Sequence, residues 1–118
     1  MTLSGLTVLE AGEFVAAPYC GRLLADLGAR VIKLEPPGGD ISRRYGPFPG
    51  GAPDPEKSGL FTFLNTGKES VVADFADPAS REQVQALAVR ADVWLTGHPR
   101  RGLAEQGLDW DALSRANS

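Results

Sequence analysis

The stretch that decides the fold is LTVLEAGEFVAAPYCGRLLADLGARVIKLE, residues 6–35. Its first apolar run, residues 6–10, is partly β-branched and predicts a strand. Pro18 suits the first turn of a helix, and Gly28 suits the residue that follows the end of that helix. Residues 30–35 predict a second strand. Two strands joined by one helix predict a parallel β–α–β unit, which should be right-handed.

The helix between these strands carries apolar residues at helical spacing, which predict a single inward stripe: Tyr19, Cys20, Leu23, Leu24 and Leu27. Cys20 is therefore expected to be a buried packing residue rather than a reactive thiolate. Glu35 ends the second strand and is expected to be solvated. An acid there is also typical of dinucleotide-binding folds, but only Gly12 of the glycine fingerprint is present and Glu13 would repel phosphate. The standard mode of NAD binding is therefore not predicted.

The rest of the chain continues the alternation of strands and helices. Residues 36–59 contain six prolines and six glycines, which predicts a long loop that is functional or disordered. After it we predict a short helix at 60–64 that ends by Gly67, and a strand at 70–75. Asp77 and Pro78 begin the next predicted helix, whose inward residues are Val84, Leu87, Ala88 and Ala91. A strand at 92–96 follows, and then one or two helices at 103–116 with Leu103, Leu108, Trp110 and Leu113 inward. The predicted fold is α/β: a Rossmann-like, open, mainly parallel sheet with helices on both faces, forming one domain over residues 1–118.

Composition excludes several classes of protein. The net charge of −3 and the pI near 5.1 argue against a nucleic-acid partner. A single cysteine excludes an internal disulfide and favours a reducing compartment. Residues 1–9 lack a signal-peptide pattern, and no apolar run approaches the length of a membrane span, so no membrane partner and a cytoplasmic location are expected.

Few residues suggest catalysis by themselves. His98 and Cys20 lie on different elements without a shared motif, His98 is readily explained as an exposed loop residue, and no spacing predicts a metal site. Asp109 and Asp111 are paired carboxylates, and capping of the last helix accounts for at least one of them.

Two segments remain as candidate binding sites. Residues 14–18 follow the first strand, and ligands of parallel sheets bind outside the carboxyl ends of the strands. Arg43 and Arg44 stand beside Tyr45 and Phe48 in the Pro/Gly-rich loop, a combination that suits an anionic ligand or a partner subunit. The alternative for this second segment is a mobile, solvated loop.

These segments resemble, in order, the start of a family III CoA-transferase, the family of carnitine dehydratase and bile-acid-inducible protein F (CaiB/BaiF). The resemblance is carried by residues 3–9 (LSGLTVL), 16–20 (AAPYC), 23–35 (LLADLGARVIKLE), 37–40 (PGGD), 43–47 (RRYGP), 64–68 (LNTGK), 90–93 (RADV) and 107–110 (GLDW). It covers almost the whole chain. The run at 23–35 is highly specific in combination with the others.

The resemblance implies a Rossmann-like large domain that binds coenzyme A in a homodimer, with acyl-CoA and a carboxylic acid as substrates and no covalently bound cofactor. The residues it implies for CoA binding are Phe14, Val15, Ala16, Ala17, Pro36, Ala73, Asp74, Phe75, Gly97 and His98. No metal ligand is implied. The nucleophile of the family is an aspartate that attacks the thioester. Its position lies after residue 118, so no catalytic residue is expected in this chain and the chain alone is expected to be inactive.

Two alternatives to a transferase fragment remain open at this stage. The related racemase branch moves an α-proton with a His and an Asp, so the chain could be a fragment of an α-methylacyl-CoA racemase. A non-catalytic scaffold or dimerisation domain is the alternative from another class. The family also usually has an Asn and a Phe after the fourth strand, where this chain has residues 96–102 (TGHPRRG), and this departure predicts weaker CoA binding than in a typical member.

Overall fold

The computed structural model describes residues 2–116. Strands and helices alternate along this part of the chain: β1 (Thr7–Ala11), α1 (Ala16–Asp26), β2 (Arg30–Glu35), α2 (Gly59–Asn65), β3 (Glu69–Val72), α3 (Pro78–Arg90), β4 (Val93–Thr96), α4 (Arg100–Glu105) and α5 (Trp110–Ala116). The long Pro/Gly-rich loop contains two short 3-10 helices, Ile41–Arg44 and Pro49–Gly51. Gly28 has the positive φ of 103° that the end of α1 was predicted to need.

The four strands form one parallel sheet in the order β3-β2-β1-β4. This confirms the predicted open parallel α/β fold. β2 pairs with β1 on one side, and β4 pairs with β1 on the other side. The strand order therefore changes direction between β1 and β4. In the β1–β2 register Glu10 lies opposite Lys33, which places two charged side chains side by side near the carboxyl end of the sheet.

Helices cover both faces of the sheet. The face under α3 holds the larger apolar core, which consists of Leu9, Ala11, Ile32, Leu34, Ala73, Val84, Ala88, Ala91, Leu103 and Leu108. The face under α1 holds a smaller one, in which Leu3, Leu6, Leu24 and Ala25 pack against Val8, Ala29 and Val31. Because side chains of a strand alternate between faces, Val8 and Glu10 share the α1 face. The small core therefore adjoins charged residues.

The predicted inward stripe of α1 is wrong at four of its five residues; the fifth, Leu24, packs against the smaller core as predicted. Tyr19, Leu23 and Leu27 are almost half exposed, and Cys20 is exposed as well. The helix instead turns its small residues, Ala17, Pro18 and Gly21, toward the sheet. Gly21 shows why, since a Cβ built on it would lie 1.8 Å from Glu10 Oε1. The charged side chain between helix and sheet leaves room for small residues only.

The later elements differ from the prediction mainly at their ends. β3 ends at Val72 rather than at residue 75, because Asp74 turns the chain by accepting a hydrogen bond from the Ala76 amide. Trp110 was expected to point inward but is 76% exposed, whereas Leu108 is fully buried as predicted. Asp109 caps α5 by accepting a hydrogen bond from the Ala112 amide.

The start of α3 was predicted correctly in position but not in detail. Asp77 is the residue before the helix, yet its side chain makes no capping hydrogen bond. Ser80 Oγ accepts a hydrogen bond from the Asp74 amide instead. Across residues 2–116, no helix has the length and apolar character needed to cross a membrane.

Candidate binding site

A cleft opens at the carboxyl ends of the strands, where the strand order changes direction. Its lining residues follow or end β1, β2, β3 and β4, and they are Ala11, Gly12, Glu13, Leu34, Pro36, Pro37, Ala73, Asp74, Phe75 and His98. Ligands of open parallel sheets bind at such a switch point. The cleft therefore lies where the fold itself predicts a binding site.

Two aromatic side chains that pack on each other form part of the lining of the cleft. The rings of Phe75 and His98 lie 5.3 Å apart between centroids and are tilted by 44°. Arg81, in the first turn of α3, holds the Phe75 segment by donating a hydrogen bond of 2.9 Å to the Phe75 carbonyl. The volume of the cleft is about 120 Å³, smaller than that of an apolar cavity of about 150 Å³ that takes up benzene. A ring system bound here would therefore lie partly outside the cleft.

The charged groups on the cleft are acidic. Glu13 and Asp74 line it, and its described lining includes no Lys or Arg. Asp74 is partly occupied by its hydrogen bond from the Ala76 amide, while Glu13 is exposed. Phosphate groups are therefore disfavoured inside the cleft, and an uncharged aromatic group is favoured.

The structure brings five of the ten sequence-predicted residues together on the cleft, namely Pro36, Ala73, Asp74, Phe75 and His98. The other five do not line it. Phe14 and Val15 lie exposed on the loop between β1 and α1, which adjoins the cleft through Glu13, and Ala16 is exposed at the start of α1. Ala17 is buried, and the Gly97 amide donates a hydrogen bond to the Ala11 carbonyl.

Sequence reasoning missed the floor of the cleft, which includes Gly12. A Cβ on Gly12 would lie 2.6 Å from Ala17 Cβ and 3.1 Å from the Gly97 amide nitrogen. Only a glycine allows the end of β1 to pack this closely against α1 and the segment after β4. The glycine directly after a predicted buried strand was the available signal.

Beneath the loop between β1 and α1 lies a buried charge cluster, which we define as Glu10, Lys33, Asp40 and Lys68. Lys33 Nζ lies 3.1 Å from Glu10 Oε2 and 2.8 Å from Asp40 Oδ2. Lys68 Nζ lies 2.7 Å from Glu10 Oε1. None of the four side chains is more than 2% exposed. Two cations and two anions compensate one another, as burial of charge requires.

The cluster is also hydrogen-bonded to the backbone around it. Lys33 Nζ donates to the Gly12 carbonyl at 3.3 Å, and Lys68 Nζ donates to the Pro18 carbonyl at 2.8 Å. Asp40 Oδ1 accepts hydrogen bonds from the amide and the hydroxyl of Ser42, both at 2.8 Å. Burial would raise the pKa of Asp40, but the hydrogen bonds from Lys33 and Ser42 outweigh it and lower that pKa. Burial lowers the pKa of Lys68.

Glu35 belongs to a second buried ion pair, so the expectation that it is a solvated strand end is wrong. It is 2% exposed. Its Oε1 and Oε2 accept hydrogen bonds of 2.8 Å from Arg43 NH2 and Nε. Ser70 Oγ and the Asp40 amide donate to it as well. Burial would raise the pKa of Glu35, but the hydrogen bonds outweigh it and lower the pKa from 4.5 to about 2.

This pair also changes the interpretation of the Pro/Gly-rich loop. Arg43 was a candidate for an anionic ligand, but Glu35 already holds its guanidinium, which also stacks on Phe61 at 3.7 Å. Ser58 ties the far end of the loop by donating to the carbonyl oxygens of Ser42 and Tyr45. The loop is thus anchored by buried polar contacts. Among residues 2–116, no cluster of His, Cys, Asp and Glu could hold a metal ion.

An open parallel sheet with a cleft at its switch point places the chain among the α/β folds that bind ligands at that edge. Comparison with known proteins is more specific. Residues 3–118 match the profile described as CoA-transferase family III, and the chain belongs to this family. The resemblance noted from the sequence is confirmed.

Curated relatives are similar over nearly the whole chain. The succinate–glutarate CoA-transferase of Agrobacterium fabrum is 41% identical over 98% of the chain, and the acetyl-CoA:oxalate CoA-transferase of Acetobacter aceti is 37% identical over 96%. A CaiB/BaiF family protein from Brucella suis has a solved structure that superposes with a TM-score of 0.86 at 38% identity and covers 97% of the chain. The chain spans 30% of the Agrobacterium and Brucella proteins and 28% of the Acetobacter protein.

Proposed function

We propose that this chain forms the N-terminal, CoA-binding part of a CoA-transferase that moves CoA between an acyl-CoA and a carboxylic acid. Family membership supports the reaction class. The Agrobacterium and Acetobacter relatives named above are CoA-transferases, which favours transfer over racemisation. The observation that carries the proposal is the cleft walled by Phe75 and His98 at the carboxyl ends of the strands.

CoA combines an adenine ring, phosphate groups and a long thiol-bearing arm. We assign the adenine ring to the cleft, because its aromatic lining suits stacking of a flat ring and its acidic rim disfavours phosphate. The phosphates would then lie outside it. Arg101, three residues beyond His98, has a side chain that is 93% exposed and is the cation we propose for them.

Phe14 and Val15, on the loop between β1 and α1, and Ala16, the first residue of α1, remain part of the proposed site. All three are exposed, and the loop adjoins the cleft through Glu13. A ligand that is longer than the cleft would continue over this loop. Ala17 and Gly97 are proposed to support the site through packing and backbone contacts.

Calorimetric titration of CoA into the chain tests the proposal. We expect binding that weakens at least about fivefold on Phe75→Ala or His98→Ala, since base–aromatic stacking contributes about 1–3 kcal/mol per base. Phe63→Ala is the matched control, because Phe63 is 58% exposed and does not line the cleft. The absence of heat at millimolar CoA, with circular dichroism unchanged, would contradict the proposal.

The chemical step is proposed to need an aspartate beyond residue 118. We therefore expect the chain to bind CoA without transferring it between an acyl-CoA and a free acid. A discontinuous assay of CoA exchange between acyl-CoA and carboxylic acid tests this, with a full-length family member as positive control. Turnover by the chain alone would show that a group within it acts as nucleophile.

We further propose that the full-length protein is cytoplasmic and a homodimer. The presence of a single cysteine in this chain, which is free, supports a reducing compartment. The nearly half-exposed Tyr19, Leu23 and Leu27 form an apolar face on α1 that suits an intersubunit contact. Sedimentation of the full-length protein gives its mass, and a monomer would contradict the second part.

A further inference from the structure

The loop between β1 and α1 is held from its buried side by the charge cluster. Lys33 Nζ contacts the Gly12 carbonyl at one end of the loop, and Asp40 Oδ1 accepts a hydrogen bond of 3.2 Å from the Phe14 amide in its middle. Lys68 contacts the Pro18 carbonyl in the first turn of α1. These contacts all hold the loop from its buried side. On its other side Phe14 and Val15 are exposed to solvent.

Phe14 has an unfavourable backbone conformation. Its φ is 71°, and within residues 2–116 every other residue with positive φ is a glycine. A side chain with a Cβ disfavours this left-handed region, so the surrounding structure must stabilise it. Two contacts do so: the hydrogen bond from the Phe14 amide to Asp40, and the packing of its ring on Tyr45 at 5.0 Å between centroids.

Asp40 itself is held firmly enough to act as such an anchor. Its amide donates a hydrogen bond of 2.8 Å to Glu35, its Oδ1 is fixed by Ser42, and its Oδ2 pairs with Lys33. Because Glu35 is fixed in turn by Arg43, the position of Asp40 is set by β2 and by the Pro/Gly-rich loop together. Asp40 thus links that loop to the loop between β1 and α1.

We propose that Asp40, neutralised by Lys33, is a positioning residue that holds Phe14 in the left-handed conformation and so presents the loop between β1 and α1 to CoA. The second half of this inference rests on the proposed function; the first concerns the free protein. Phe14 is 40% and Val15 is 43% exposed on the outer side of the loop. A loop held from below and open above is preorganised for a ligand.

Hydrogen exchange measured by NMR on the CoA-free chain tests the first half without a mutation. The Phe14 amide should exchange at least about tenfold more slowly than that of Glu13, for which the described structure shows no acceptor. Asp40→Asn should remove most of this protection, because the Asn side chain has only one acceptor oxygen. If that oxygen faces Lys33, the NH2 group faces the Phe14 amide and cannot accept its hydrogen bond. Exchange of Phe14 at the rate of Glu13 in the unmutated chain would overturn the inference, whether or not CoA binds.

A double-mutant cycle with CoA titration tests the second half. Asp40→Asn should weaken CoA binding about tenfold or more, and it should cost much less in a Phe14→Gly background, since glycine adopts a positive φ without a partner. An equal loss in both backgrounds would indicate general destabilisation and overturn the positioning role. Failure of the unmutated chain to bind CoA would instead count against the proposed function.

Asp92→Asn is the matched control for both measurements. Asp92 also accepts a backbone amide hydrogen bond, from Thr7 at 2.8 Å, but at the opposite end of β1. We expect CoA affinity and the exchange of Phe14 to stay as in the unmutated chain. An effect as large as that of Asp40→Asn would mean that the loss of any such carboxylate disturbs the loop, which contradicts a specific role for Asp40.

Discussion

Lys33 Nζ lies 2.8 Å from Asp40 Oδ2, and the two side chains are 1% and 0% exposed. The pair joins β2, a central strand of the sheet, to the Pro/Gly-rich loop that follows this strand. The buried charge cluster holds two cations and two anions, so removing either partner alone would leave an uncompensated charge inside the protein. Removing one member of the buried charge cluster is therefore expected to destabilise the fold, and this expectation can be measured.

Lys33→Met should destabilise the chain by about 3–5 kcal/mol, because it leaves Asp40 buried without its cation. Denaturant unfolding followed by circular dichroism measures the change. Arg30→Met is the matched control on the same strand, since Arg30 pairs with Glu69 in solvent, where both side chains are more than half exposed. A similar loss for both variants would contradict the importance of burial.

Acid should destabilise the folded chain through Glu35. Its pKa is lowered to about 2 in the folded state from 4.5, so the unfolded chain binds the proton more readily between these values. The contribution of Glu35 is complete above pH 4.5 and is lost as the pH falls toward 2; its size is about 3 kcal/mol. Urea unfolding at a series of pH values should show this loss, and Glu35→Gln should flatten the dependence. Equal pH dependence in both proteins would contradict the assignment.

Gly21→Ala should destabilise the chain by about 1–3 kcal/mol. The new Cβ would lie 1.8 Å from Glu10 Oε1 and 3.1 Å from Lys68 Nζ, so it must displace this ion pair. Gly102→Ala in α4 is the control, because a Cβ there meets nothing within 4 Å. That change should be neutral or stabilising by up to about 1 kcal/mol. Thermal unfolding compares the two, and a neutral Gly21→Ala would show that the cluster relaxes easily.

Cys20 should react with a thiol reagent in the folded chain. It is exposed on the outer side of α1, so an aromatic disulfide reagent should modify one thiol per chain at a rate within about tenfold of that in denaturant. Cys20→Ser provides the blank. Slow, unfolding-limited modification would mean that this face of α1 is covered in solution, for example by a second copy of the chain.

Most of the fold could be predicted from the sequence because its signals are local. The β–α–β unit follows from two apolar runs, a proline at the start of the helix and a glycine after its end. The predicted strands and helices are present, and the larger differences concern their ends. β3 stops early because Asp74 forms a turn, which depends on one side-chain hydrogen bond rather than on a periodic pattern.

The candidate site could be predicted in part. Residues 73–75 and His98 line the cleft together with Pro36, because they follow strand ends and the resemblance carried them over. Residues 14–17 were assigned from the same resemblance but do not line it. The path of that loop is set by Asp40, which lies 26 residues after Phe14, and no local pattern reveals such a partner.

The sequence by itself determined the order of the elements and the parallel class of the sheet, since residue spacing and capping preferences act over a few neighbours. Only the tertiary structure decided which side of α1 faces the sheet and where the charges lie. The β1–β2 register sets Glu10 opposite Lys33, and the return of the Pro/Gly-rich loop brings Asp40 and Arg43 to them. Once these charges are buried and paired, the helix above them must present its small residues. Most of its predicted apolar stripe is therefore left outside.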